Sequence, residues 1–258
     1  MTGAFEAALR SARSADRKVI VPYITGGLGH DWLDAVRAAV DAGADAVEIG
    51  IPFSDPVMDG PTIQAASDLA LKAGTTPVSV FAQLRHADVG VPLAVMTYYN
   101  IVHHMGLERF ASTAVDSGVV GAILPDVPLE ESEPWCEVAD RIGVETIMLA
   151  APTADDERLA RIVARARGFV YGVGLLGVTG VRDRLAASSL EIAGRLKAIT
   201  DKPVLVGVGV STPAQAAEVC TVADGVVVGS AVVQRLLDGE GPNGVGEFVG
   251  AVRAALDA

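Results

Sequence analysis

Short apolar runs alternate with segments of helical spacing from end to end of this chain. Residues 1–18 carry scattered charges and read as an amphipathic first helix. Residues 18–24 (KVIVPYI) are an apolar run closed by Thr25-Gly26-Gly27. In 31–42, Trp32, Leu33, Val36 and Val40 share one helical face, and Gly43 ends the segment as a C-terminal cap. A second run covers 46–51, followed by helical segments at 62–73 and 78–86. The third run, 91–97, leads into Tyr98-Tyr99-Asn100 and then a helix at 107–117. Runs at 119–124, 145–150 and 168–173 are followed by helices at 131–141, 155–166 and 189–199. The last two runs, 203–206 and 225–228, precede helices at 213–220, 231–237 and 246–256.

The runs are continuously apolar, as parallel strands covered on both faces require. About eight strand–helix units with no linker predict a (β/α)₈ barrel, residues 1–258 as a single domain, with an extra N-terminal helix. A doubly wound open sheet is the runner-up. In a barrel, catalytic groups belong on the loops after the strands.

Composition narrows the function classes. A chain of 258 residues, 50% hydrophobic, suits one large core. The net charge of −12 argues against wholesale nucleic-acid binding, although a local pocket for a small anion stays open. Cys136 and Cys220 are far apart, without metal-ligand spacing, and read as packing residues in helices. His103-His104 lacks i,i+4 spacing, so no metal site is expected. There is no apolar run of about 18 residues and no signal-peptide pattern, so a cytoplasmic protein is expected.

The strongest chemistry lies at 45–62 (DAVEIGIPFSDPVMDGPT). Glu48 sits within an apolar strand, where burial raises a carboxyl's pKa toward working pH. Asp59 lies on the loop that Pro52, Pro56, Gly60 and Pro61 keep irregular. The two can converge on one ligand as an acid/base pair. Gly177-Val178-Thr179-Gly180, Gly207-Val208-Gly209 and Gly229-Ser230 follow the last three runs. Glycine lets backbone N–H groups approach an anion, and Gly229-Ser230 also opens a helix, so a phosphate site is expected there. Tyr98, Asn100 and Tyr171 at strand ends could orient Glu48 or a substrate, and Asp126 follows the fourth run between two prolines.

EIGIPFSDPVMDGPTIQ resembles the signature of the tryptophan synthase α subunit, and VMTYYN, PDVP, GVTG and DGVVVGS stand in that family's order. The resemblance implies cleavage of indole-3-glycerol phosphate to indole and glyceraldehyde 3-phosphate. It makes Glu48 and Asp59 the catalytic carboxylates and sets Tyr171 beside the glutamate. Gly180, Gly209, Gly229 and Ser230 match phosphate-binding positions. Tyr23, Tyr98, Leu124 and Val208 match the indole wall, and Thr179 matches the residue that meets the aspartate when its loop closes. The α chain needs no cofactor. Its implied partner is a pyridoxal-phosphate β subunit, in an α₂β₂ complex, facing Pro52, Asp55 and Asp126. Two segments depart from the family pattern: Thr25–Gly29 (TGGLG), and Gly174-Leu175-Leu176 ahead of Gly177. A stand-alone indole-releasing lyase and a catalytically reduced regulatory subunit are the alternatives.

Overall fold

The computed structural model describes residues 2–174, 181–207 and 209–258, with backbone alone at 181–186. Eight parallel strands close into a barrel in sequence order. They are β1 (Val19–Thr25), β2 (Val47–Gly50), β3 (Leu93–Met96), β4 (Val119–Ile123), β5 (Glu145–Ala150), β6 (Val170–Val173), β7 (Val204–Gly207) and β8 (Gly225–Val228). Closure by pairing β1 with β8 removes both sheet edges and rules out the open-sheet alternative.

Helices α1 (Ala4–Ser14), α2 (Trp32–Asp41), α3 (Pro61–Lys72), α4 (Pro77–Leu84), α5 (Tyr99–Met105) and α6 (Leu107–Asp116) accompany the first half. The second half carries α7 (Glu133–Ile142), α8 (Asp156–Arg165), α9 (Val181–Lys197), α10 (Pro213–Val219), α11 (Ser230–Leu237) and α12 (Gly241–Leu256). Three differ from the sequence reading. The Tyr98-Tyr99-Asn100 segment, expected at a strand end with no helix before 107, opens α5. α9 begins at Val181, eight residues before the expected start. α12 begins at Gly241, five residues before the expected start at 246, because Pro242 is tolerated in a helix's first turn.

The apolar residues divide into two main layers. Outward strand residues such as Val47, Ile49 and Val95 meet the helix ring through Trp32, Phe81 and Phe110. Inward residues, including Val21, Ala46, Ala94, Ile123, Phe169 and Leu205, fill the barrel. α1 closes the end where the strands begin. Its Phe5 and Leu9, one turn apart, are fully buried, and Phe5 stacks on Phe169 at 5.8 Å. Glu145 on β5 caps α1 across the barrel, accepting the Phe5 N–H at 2.6 Å and the Glu6 N–H at 3.0 Å. The strand-start end is thereby plugged, and a ligand has the opposite end.

Candidate active site

A cavity of about 280 Å³ opens at the strands' C-terminal ends. Alternation along β2 turns Ala46, Glu48 and Gly50 inward while Val47 and Ile49 face the helices. Glu48 pairs in register with Tyr23 on β1 and Ala94 on β3. It is 1% exposed, and its Oε2 has no hydrogen-bond partner among the described residues. Burial, reinforced by the charge of Asp59, pushes its carboxyl up to about 8. Leaving a buried carboxyl oxygen unpartnered costs stability, which sets Glu48 apart from an ordinary core residue.

Two tyrosines flank it. Tyr171 on β6 is held well above the usual phenol range by burial first and then by the charge of Glu48. Burial, then the charge of Asp59, does the same for Tyr23. Both are neutral hydroxyl donors at physiological pH. Each hydroxyl fits over a glycine of the neighbouring strand: a Cβ at Gly50 would collide with Tyr23, and one at Gly207 with Tyr171.

Asp59 reaches the cavity from the loop between β2 and α3. Its N–H turns back to the Pro56 carbonyl at 3.0 Å. The Tyr98 hydroxyl donates to Asp59 Oδ2 at 3.2 Å and accepts the Met58 N–H at 2.9 Å. The Tyr98 ring stacks on Phe53 at 5.0 Å. Burial raises the Asp59 carboxyl, and the Tyr98 bond opposes that by favouring the charged form. The Tyr98 phenol is pushed up to about 12, mainly by burial.

The far wall is glycine and serine. Gly209 (φ 93°) and Gly229, the N-cap of α11, line the cavity with Ser211 and Ser230. The described lining contains no Lys or Arg, so an anion there meets backbone N–H groups, a hydroxyl and the α11 dipole.

Glu48, Asp59, Tyr171, Tyr23, Gly209, Gly229 and Ser230 thus converge on one cavity, with Tyr98 directly behind Asp59. Thr179, Gly180, Val208 and Leu175–Leu176 lie outside the described residues. Leu124 lines a separate cavity with Ile147 and Leu149, between the loops after β4 and β5. Both Asp126 oxygens accept the Tyr99 N–H, at 3.0 and 3.1 Å, so this acid ties its loop to the start of α5. Pro52 is buried and Asp55 exposed, so only the second offers surface to a partner. Asn100, His103 and His104 are exposed on α5, and both cysteines are free and buried. Ile63, Met96, Val210, Ser211 and Val227 line the cavity without having been singled out. Met96 and Val227 lie two residues beyond the inward Ala94 and Gly225, so strand alternation marks both.

Comparison with known proteins shows the family. Residues 9–246 match the family model described as tryptophan synthase alpha chain. The chain is 47% identical to the tryptophan synthase alpha chain of Streptomyces coelicolor over 234 residues, 89% of this chain and 86% of that one. It is 46% identical to that of Geobacter sulfurreducens, covering 93% and 94%. Among solved structures, tryptophan synthase from Mycobacterium tuberculosis superposes with a TM-score of 0.92 at 36% identity, covering 100% of both chains. Tryptophan synthase subunit alpha from Legionella pneumophila superposes with a TM-score of 0.90 at 31% identity, covering 100% and 99%. The chain belongs to the tryptophan synthase alpha chain family.

Proposed function

We propose that in this cavity Glu48 moves the protons and Asp59 holds the indole nitrogen during retro-aldol cleavage of indole-3-glycerol phosphate. As a member of its family, the chain is a carbon–carbon lyase of tryptophan biosynthesis. The observation that carries the residue assignment is a pair of carboxyls in one cavity with different settings. Glu48 is sealed on a rigid strand with its pKa near neutrality, and Asp59 is held by a hydroxyl on a loop.

Neutral Glu48 delivers its proton to indole C3. The ring becomes an indolenine, its N–H grows more acidic, and ionised Asp59 accepts that N–H and offsets the positive charge. Glu48, now a carboxylate, takes the proton of the hydroxyl on the adjacent side-chain carbon. The oxygen electron pair forms the aldehyde, the carbon–carbon bond breaks, and its electrons restore the aromatic ring. Glu48 ends protonated as it began, so the cycle consumes no cofactor. Tyr171 orients the Glu48 carboxyl. Gly209, Gly229 and Ser230, with Gly180, take the phosphate and pin the far end of the substrate. By the family resemblance Thr179 is the partner of Asp59 and Val208 belongs to the indole wall; both lie outside the described residues.

The partner in this reading is the pyridoxal-phosphate β subunit, in an α₂β₂ assembly. The loop bearing Asp59 also presents Asp55, Val57 (80% exposed) and Met58 (53% exposed), an apolar tip that suits a partner surface. The solved Mycobacterium tuberculosis relative carries the name of the whole synthase. The free, buried cysteines suit a reducing compartment such as the cytoplasm. The intact pair of carboxyls argues against a subunit that has lost its chemistry.

The test is indole release from indole-3-glycerol phosphate, with and without a β subunit. Release that the partner accelerates is expected. No release in either condition would overturn the reading, and strong release indifferent to the partner would favour a stand-alone lyase.

A further inference from the structure

The loop carrying Asp59 has a second anchor opposite Tyr98. Gln64, in the first turn of α3, donates its Nε2 N–H to the Asp59 carbonyl at 2.8 Å and makes a longer contact to the Pro56 carbonyl at 3.4 Å. Both groups belong to the turn that delivers Asp59, because Pro56 O also accepts the Asp59 N–H at 3.0 Å. An amide nitrogen carries two N–H donors, so one side chain can serve both carbonyls. Two acceptors also settle which end of the amide faces them. Gln64 is exposed, so core packing does not account for its placement. Its own backbone N–H bonds the Gly60 carbonyl at 3.0 Å, starting α3 directly after the loop.

We infer that Gln64 is a positioning residue: its amide clamps the Pro56–Asp59 turn to α3 and so sets the direction of the Asp59 carboxylate. This rests on the reading of Asp59 as the group that holds the indole nitrogen. The clamp works with Tyr98, which fixes the side-chain end while Gln64 fixes the backbone end. A loop held at both ends keeps its carboxylate within the small tolerance that catalysis allows.

Gln64→Ala removes the donors. Gln64→Glu keeps the length but sets a carboxylate against two carbonyl oxygens. In the full chain with indole-3-glycerol phosphate, kcat is expected to fall about tenfold for Gln64→Ala and further for Gln64→Glu, with KM within about twofold. The thermal midpoint of the exposed Gln64→Ala variant stays within about 2 °C of wild type. Relative to wild type at each pH, Gln64→Glu regains rate as its acid form becomes a donor again, and Gln64→Ala does not. In an Asp59→Asn background, Gln64→Ala costs no further rate. Normal turnover by Asp59→Asn would overturn the reading of Asp59 itself. An impaired Asp59→Asn alongside normal kcat in Gln64→Ala would overturn this inference alone. Additive losses in the double variant, or a Gln64→Ala rate loss matched by a large fall in melting temperature, would also overturn it.

Discussion

The Tyr98 hydroxyl lies 3.2 Å from Asp59 Oδ2 and takes the Met58 N–H at 2.9 Å. One oxygen therefore ties the carboxylate and the backbone beside it to the start of α5. Tyr98→Phe keeps the ring on Phe53 and deletes only that tie. We expect kcat to fall roughly ten- to a hundredfold with a smaller change in KM. The bond favours ionised Asp59, so its loss raises the Asp59 pKa and moves the acid limb of kcat/KM to higher pH. Steady-state kinetics across pH check both, and an unmoved acid limb contradicts the assignment.

Glu48 gives a second pH signature. In the proposed cycle it starts protonated, and burial pushes its pKa up to about 8. The rate kcat/KM is expected to decline above that pH as the carboxyl loses its proton. A rate still climbing through pH 8 would remove Glu48 from the role of acid.

The same shift acts on stability. The folded-state pKa of Glu48, about 8, lies above the ordinary 4.5, so the folded chain holds this proton more tightly than the unfolded one. The associated stability is complete below the ordinary pKa and is lost as pH rises through the folded one. Glu48→Gln does not titrate. Its unfolding free energy should gain on wild type by a few kcal/mol between about pH 5 and pH 9. Denaturant melts at the two pH values measure this, and a constant difference would contradict it.

Gly50 faces the Tyr23 hydroxyl closely enough that a Cβ cannot be added without movement. Gly50→Ala should destabilise by about 1–3 kcal/mol and displace Tyr23 into the cavity, raising KM. Adding Tyr23→Phe should recover only part of the stability, because Cζ and Cε2 of the ring stay within 3 Å of the new Cβ after the hydroxyl is gone. Equal melting temperatures for the single and double variants would show that the strain lies elsewhere.

The barrel was legible because its strands are uninterrupted apolar runs punctuated by glycine and proline, a pattern set by burial on both faces. Glu48 was legible for the same reason: a lone acid in such a run stands out. Asp59 stood out by its Pro/Gly-rich loop, Gly229 and Ser230 by opening a helix after the last strand. What escaped depends on contacts between distant segments. α5 forms directly after a strand-end motif, and Asp126, from the loop after β4, holds its first N–H. Glu145 reads as one end of a strand, yet it caps α1 from across the barrel. The resemblance sets Leu124 in the indole wall; Leu124 lines the cavity between the loops after β4 and β5, and Met96 and Val227 line the central one. The resemblance turns Pro52 toward a partner, and its burial depends on how the loop packs, which the sequence pattern does not encode. Pairings such as Tyr98 with Asp59 follow from loop geometry, on which hydrophobic periodicity is silent.

A division of labour between the two carboxyls makes Glu48→Gln the decisive variant. Indole formation from indole-3-glycerol phosphate should be followed in a single turnover, with enzyme in excess and substrate binding measured on the same sample. Binding is expected to stay within a few-fold of wild type and the chemical step to slow by a factor of at least about 10³, since the amide keeps the shape and loses the transferable proton. Near-normal turnover in Glu48→Gln, or a loss confined to binding, would contradict it.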